Sequence, residues 1–228
     1  EHDYVGNNNA VSLKDPNATV EFKVRRRVVN ATFMGVEVPA THPPKFDVAE
    51  DVPFMPPNSL VGEIGKWDNY CVIGCGKTGM DAIQYLVQQN VPAEKIHWVM
   101  SNDVWCFERA KIQVGTVMDM ILEHCDAITN ANSPREVFTE LEKGGGIIRL
   151  DKGVAPTKWK CPTVSLEEIE MMEHVTNTIR KGRVKKLSSA GIEFADETVQ
   201  LPDNTLFVNC TADGLAKRAA VPLFEKGK

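Results

Sequence analysis

The chain has 228 residues, of which 43% are hydrophobic and 25% charged, a balance that suits one large or two modest cores and argues against disordered and fibrous classes. A net charge of -5 and a pI near 5.6 leave no basic excess to neutralise a phosphate backbone, so nucleic acid is not an expected partner. The longest apolar stretches, such as residues 117–122, are short and interrupted by Asp119, far below the roughly 20 residues that a bilayer crossing needs.

No membrane partner and a soluble, cytoplasmic protein are therefore expected. The cysteines at 71, 75, 106, 125, 161 and 210 form no CxxC pair and lie mostly inside apolar runs, the pattern of reduced, buried thiols. The chain opens at Glu1 and closes at Lys228 without a finished element at either end, and so reads as a piece of something longer.

Residues 1–60 hold short β-like runs at 19–24 and 27–32, then a stretch carrying Pro39, Pro43, Pro44, Pro53, Pro56 and Pro57. Proline at that density forbids helix and central strand, so a strand pair leading into an extended connector is expected. From Lys66 the character changes. Residues 70–73 are a continuous apolar run ending at Gly74, as in a strand buried on both faces of a parallel sheet. Met80, Ile83, Leu86 and Val87 then recur at helical spacing until Asn90 and Pro92 close the segment. Residues 96–100 supply a second strand, completing β-α-β.

Residues 110–181 are predicted to be mostly helical. Ser133, Pro134 and Glu136 place a capping serine, a first-turn proline and a box-closing glutamate before Val137, Phe138 and Leu141, and three glycines from Gly144 end the run. Ser165 and Glu168 repeat the device before Ile169, Met172 and Val175. These apolar stripes read as core or lid packing, and the acidic run 167–170 as a solvated helix face. Residues 184–187, 191–194, 197–201 and 206–210 are predicted strands of a meander, separated by turns at 195–196 and 202–204.

Gly74, Gly76 and Gly79 form a GxGxxG where its chemistry requires it. The first glycine turns the chain off the strand, the second lets a pyrophosphate approach bare backbone, and the third lets the helix pack on the sheet. Free N–H groups at the helix start then face the phosphates at the positive end of the helix dipole. A bare GxGxxG is weak evidence; one that follows a buried strand, opens an amphipathic helix and precedes a second strand is stronger. A purely structural glycine turn is the competing reading.

The second strand should deliver the group that meets the adenosine ribose, a carboxylate for NAD or a cation for NADP. The sequence offers Ser101, Asn102 and Asp103, with Arg109 further on; Ser101 and Arg109 tilt the expectation slightly to NADP. Lys77 adds charge near the phosphates or is an exposed lysine on the first turn. Cys75 sits where a helix N-terminus depresses a thiol pKa, although a small residue at the variable position is the favoured account. The five histidines lie in no HxxxH or HxH spacing, so no metal site is expected. No GxSxG or Ser-His-Asp order appears, and the catalytic residues stay unknown.

Taken with residues 72–82, the strand at 98–100 with residues 103–105 and Arg109, and the strand ending at residues 208–211, the chain resembles the flavin-containing monooxygenase and pyridine-nucleotide flavoprotein group. The likeness covers residues 20–222. It implies an α/β fold with a Rossmann-type NAD(P)-binding domain at 61–211, carrying a parallel sheet, a flanking β-meander and a helical insertion at 112–181. It further implies remnants of an FAD-type domain at 1–60 and a return segment at 212–228. In that group the domain crossings end in Ala-Thr-Gly-like strands, matched here by residues 29–32 and 209–211.

Three departures stand out. The group's first GxGxxG, which seats FAD, is absent before Gly35. Phe33 and Ala212 replace the crossing glycines. Phe33, Gly35, His42 and Phe46 resemble the monooxygenase fingerprint, but with three extra residues before His42, which reads as connector surface.

The implied activity is a flavin- and NAD(P)H-dependent oxidoreductase, monooxygenase-like, with FAD in the complete protein and a small-molecule substrate of unknown identity. Gly74, Cys75, Gly76, Lys77, Thr78 and Gly79 would hold the pyrophosphate, Ser101, Asn102 and Arg109 the ribose end, and Asn209 and Thr211 would lie near the crossing. A homodimer stays open. The alternative is a non-catalytic NAD(P)-binding module or sensor without flavin; a methyltransferase is a weaker third reading.

Overall fold

The structure, a computed structural model, describes residues 2–29, 36–212 and 219. The expected crossing at 30–32, the fingerprint residues Phe33 and Gly35, and most of the return segment lie outside the described residues. Two compact units are present, one formed by residues 1–36 with 214–228 and the other by residues 37–213.

In the first unit β1 (His2–Gly6), β2 (Asn9–Ser12) and β3 (Thr19–Glu21) form an antiparallel sheet. Asn7 and Asn8 both adopt positive φ at the first turn, as a tight hairpin requires. The β-like run expected at 19–24 is thus real but shorter. Its partner is β2, not the run at 27–32, of which residues 27–29 carry no strand.

In the second unit the proline-rich stretch yields β4 (Asp47–Val48), β5 (Phe54–Met55) and a 3-10 turn at Pro57–Gly62. Both strands sit at sheet edges, where the missing N–H of a flanking proline is tolerated. Next come β6 (Asn69–Ile73), α1 (Lys77–Gln88) and β7 (Ile96–Val99). β8 (Val104–Glu108), α2 (Val117–Asn130), α3 (Pro134–Lys143), β9 (Ile147–Arg149), β10 (Lys158–Val164) and α4 (Leu166–Glu173) follow. The unit finishes with β11 (Asn177–Ile179), β12 (Lys186–Ser188), β13 (Gly191–Glu193), β14 (Thr198–Val199) and β15 (Thr205–Asn209).

The central sheet has five strands in the order β11-β7-β6-β15-β5, every neighbouring pair parallel. Side chains of β6 alternate between two cores, because a strand's period of two sends them to opposite faces. Tyr70 and Val72 join Met80, Ile83, Leu86, Trp98, Ile169 and Met172 under α1 and α4. Cys71 and Ile73 join Leu187, Ile192, Phe194 and Phe207 under the meander. The result is three layers, helices over sheet over meander, which makes the chain a mixed α/β protein with a parallel sheet.

Two expectations change. Residues 110–181 carry three helices but also β9, β10 and β11, and β8, β9 and β10 form a separate small sheet in the order β10-β8-β9. That sheet is covered by α3 through Trp105, Leu141 and Ile147, with Phe138 stacked on Trp105 at 5.7 Å. The final predicted strand also leaves the meander. Only β12, β13 and β14 pair antiparallel, with β4 at their edge, while β15 returns to the parallel sheet between β6 and β5. All five β15 residues are buried, as a central strand of a parallel sheet demands.

The expected caps form. Ser133 Oγ accepts from Glu136 N at 3.2 Å, although the Glu136 carboxylate closes onto Asn132 N rather than onto the capping residue. At α4 the box is complete, with Ser165 Oγ and Glu168 accepting reciprocally. No helix among the described residues is long and apolar enough to cross a membrane.

Candidate functional site

The three motif glycines occupy three different environments. Gly74 ends β6 at φ +125°, a backbone that side chains rarely adopt, and a Cβ there would stand 2.9 Å from the carbonyl oxygen of Cys210. Gly79 lies on the first turn of α1, where a Cβ would come to 2.0 Å from the Gly74 carbonyl oxygen. The helix can cross the strand end this closely only without that carbon. Gly76 caps α1 in an extended conformation, and a Cβ on it would meet nothing within 4 Å. Neither folding nor packing requires glycine at 76, so the space above it is free for something else.

The turn sits where chain direction divides. From β6 the chain passes to β7 on one side, while β15 arrives on the other, so the division falls between the C-terminal ends of β6 and β15. In open parallel sheets ligands bind outside the carboxyl ends of strands at such a point. Cys210 N donates to Ile73 O at 2.8 Å, and Gly74 N to Val99 O at 3.0 Å, which locks the three strand ends together. Asn209 is buried, and its Oδ1 accepts from Thr211 N at 3.1 Å and Thr211 Oγ1 at 2.6 Å. Asn209 and Thr211 are thus held beside the turn as a local side-chain-to-backbone turn.

The helix start has no side-chain cap, and an α-helix leaves its first four N–H groups without intrahelical partners. Thr78 is exposed there. Cys75 is buried, and its thiol donates to the Asn102 carbonyl at 2.9 Å, which fastens the loop after β7 to the turn. Asn102 Nδ2 in turn donates to Ser101 Oγ at 3.2 Å. Ser101 and Asn102 are therefore brought to the glycine turn as the sequence pattern anticipates.

Arg109 is placed differently. It follows β8 and donates to Thr163 O at 2.9 Å and to Glu168 Oε2 at 2.8 Å. Glu168 also accepts from Lys77 Nζ at 3.0 Å, and Lys77 pairs with Asp81. Arg109 is thus joined to the turn through Glu168 and Lys77. Lys77 is likewise no free lysine, and Glu168 is no solvated face residue: its side chain is 21% exposed. Burial pushes this carboxyl up, but the Arg109 guanidinium, the Ser165 N–H and Lys77 outweigh it and hold it at about 2.

Two residues at the site, Trp98 and Arg180, were not singled out from sequence. Trp98, on β7, donates its indole N–H to Gly74 O at 2.8 Å and braces the turn from below. Asp103 receives a two-pronged bond from Arg180, whose Nε lies 3.0 Å from Oδ2 and whose Nη2 lies 3.2 Å from Oδ1. Arg180 follows β11 and also reaches Thr178 Oγ1 at 2.7 Å and Asp151 Oδ2 at 3.0 Å. An arginine immediately after a strand of the parallel sheet was the available signal. An open cavity of about 460 Å3 runs along the same face of β7 and β11, bounded by Trp98, Met100, Met172, Thr178 and Arg180. It does not extend to the glycine turn, above which lies open surface.

The residues present fit a nucleotide pyrophosphate, since Gly76, alone of the three motif glycines, lacks packing neighbours and faces open space at a helix start. For FAD the described residues offer no second turn of this kind. No group of three or more His, Cys, Asp or Glu capable of holding a metal occurs among the described residues.

No protein-family profile matches the chain, and no solved structure matches it. It is similar to an uncharacterized protein of Mycobacterium bovis and to two of Mycobacterium tuberculosis, each 35% identical over 207 residues. The match takes in 89% of this chain and 38% of each relative, so the chain spans well under half the length of the curated relatives it matches.

Proposed function

We propose that residues 37–213 form a Rossmann-type unit that binds a nicotinamide dinucleotide with its pyrophosphate on Gly74, Cys75, Gly76, Lys77, Thr78 and Gly79. The carrying observation is the contrast among the glycines: 74 and 79 are required by backbone contacts, while 76 faces open space at the head of a 12-residue helix. A purely structural turn explains the first two and leaves the third without a reason. The five-stranded parallel sheet, the meander between β11 and β15, and the division of chain direction at β6 support the same reading.

On this reading the unit is the nicotinamide half of a flavin- and NAD(P)H-dependent oxidoreductase of the monooxygenase-like kind. The dinucleotide supplies hydride; the chain's residues bind it, orient it and shield its phosphates. FAD, the substrate and the acid-base groups belong to the complete protein. A non-catalytic NAD(P)-binding sensor is the second reading, motivated by the lack of a second glycine turn in the sequence.

Titrating NADH into the chain and following nicotinamide fluorescence tests the proposal. Saturable binding that Gly76→Ala weakens supports it, whereas no binding at millimolar nucleotide refutes it. A flavin absorbance band in the complete protein separates the redox reading from the sensor.

A further inference from the structure

We infer that the ribose end of this site selects NAD(H) over NADP(H), and that Asp103, pinned by Arg180, sets the preference. The inference rests on the dinucleotide reading above. A nucleotide lying on Gly76 extends its adenosine ribose toward the end of the second strand, where β7 gives way to Ser101, Asn102 and Asp103. Discrimination there is a matter of charge. A ribose diol donates hydrogens and is met by a carboxylate, whereas a 2'-phosphate is a dianion and needs an uncompensated cation.

The cations near the strand ends are already matched. Lys77 is shared by Asp81 and Glu168, and Arg109 is held by Glu168 and the Thr163 carbonyl. Arg180 serves two carboxylates, Asp103 and Asp151, with side-chain exposures of 12% for Asp103 and 28% for Arg180 itself. Two acids on one guanidinium leave this corner negative. Lys152 and Glu173 both stand on the cavity wall, and their formal charges cancel in the count.

A phosphate arriving at this corner would face Asp103 and Asp151 and would have to displace one of them from Arg180. A diol needs no such rearrangement, because a carboxylate bound on one side by arginine keeps acceptor lone pairs for hydroxyl donors. Ser101, where a phosphate-binding site would gain most from a cation, supplies none. Arg109, the cation that sequence position suggested for the phosphate, is committed to Glu168. Asp103 is held in place by a bidentate guanidinium from the neighbouring strand, so its orientation is set before any nucleotide arrives.

The test is the ratio of dissociation constants for NAD+ and NADP+, measured by calorimetry on the 228-residue chain and two variants. The wild type is expected to bind NAD+ at least about tenfold more tightly. Asp103→Asn frees one side of Arg180, which retains Asp151 and Thr178, and is expected to shift the ratio toward NADP+ by about tenfold. Ser101→Arg adds a cation without touching the Asp103 pair, and is expected to shift it the same way even if Asp103→Asn folds poorly. Equal or tighter binding of NADP+ by the wild type overturns the inference while leaving the dinucleotide site standing, as does an unchanged ratio in both variants. Binding of neither nucleotide overturns the dinucleotide reading, and the inference with it.

Discussion

Replacing each of two motif glycines by alanine separates a turn built for packing from one built for a ligand. In Gly79→Ala the new carbon stands 2.0 Å from the Gly74 carbonyl oxygen, whereas ordinary contact begins at 3.4 Å, so α1 and the end of β6 must part by about 1.4 Å. Both sides of that contact are backbone, so no rotamer change relieves it. Overpacking of this kind costs about 1–3 kcal/mol, occasionally more, and a backbone-on-backbone clash belongs at the upper end. In Gly76→Ala the new methyl meets nothing within 4 Å, and the residue's φ of -81° suits any side chain. Losing glycine at a helix cap costs about 0.5 kcal/mol, and reduced freedom of the unfolded chain returns a similar amount.

Urea melts should therefore show Gly79→Ala losing about 3 kcal/mol, roughly 1.5 M in midpoint for a slope near 2 kcal/mol per molar, with Gly76→Ala near wild type. Binding should fall the other way. A methyl on residue 76 holds the pyrophosphate off the helix N–H groups, and losing one charge-assisted bond worth about 1.5–3 kcal/mol weakens affinity at least tenfold. If Gly76→Ala melts as early as Gly79→Ala, residue 76 is a packing glycine and the reasoning fails. Unchanged NADH affinity in a well-folded Gly76→Ala refutes it equally.

Other consequences follow from the bonds around the turn. The Glu168 carboxyl is depressed from 4.5 to about 2, so its contribution is full above pH 4.5 and lost as the pH falls through about 2. That contribution is about 3 kcal/mol, and Glu168→Gln should flatten the acid limb of the stability profile in a pH series of urea melts. Trp98→Phe removes the indole N–H that donates to the Gly74 carbonyl, and should cost about 1–2 kcal/mol while raising amide exchange across residues 74–79. Burial pushes the Cys106 and Cys210 thiols up to about 12, and Cys71 upward as well, whereas Cys125 is exposed. Among the five cysteines described as free, a thiol reagent with mass-spectrometric mapping should label Cys125 first. Prior labelling of Cys71 in the native chain would contradict the burial of β6.

Local signals in the sequence proved most readable where one residue type has one physical use. The apolar run before Gly74, the helical spacing of Met80, Ile83 and Leu86, and the two capping serines each map onto the element they suggest. Long-range pairing was not readable. β15 looks like the last rung of a meander because it follows β14 closely, yet its centre, Leu206, Phe207 and Val208, is a continuous apolar run that the two-residue β14 lacks, and that difference fits a central position. The site divides in the same way. The glycines, Ser101, Asn102, Asn209 and Thr211 meet because they follow strand ends on one edge of a parallel sheet. Arg109 was misleading because its partner, Glu168, lies 59 residues away. The Asp103 and Arg180 pair spans 77 residues, a distance over which spacing in the chain carries no information.

The central claim is that a dinucleotide's pyrophosphate rests on Gly76 at the start of α1. Titrating NAD+ into isotopically labelled chain and following amide shifts by NMR tests it most directly. The account predicts saturable shifts that are largest at the amides of residues 76–79, accompanied by the Trp98 indole bonded to Gly74. Saturable binding that leaves those amides unmoved, or no binding at all, would contradict it.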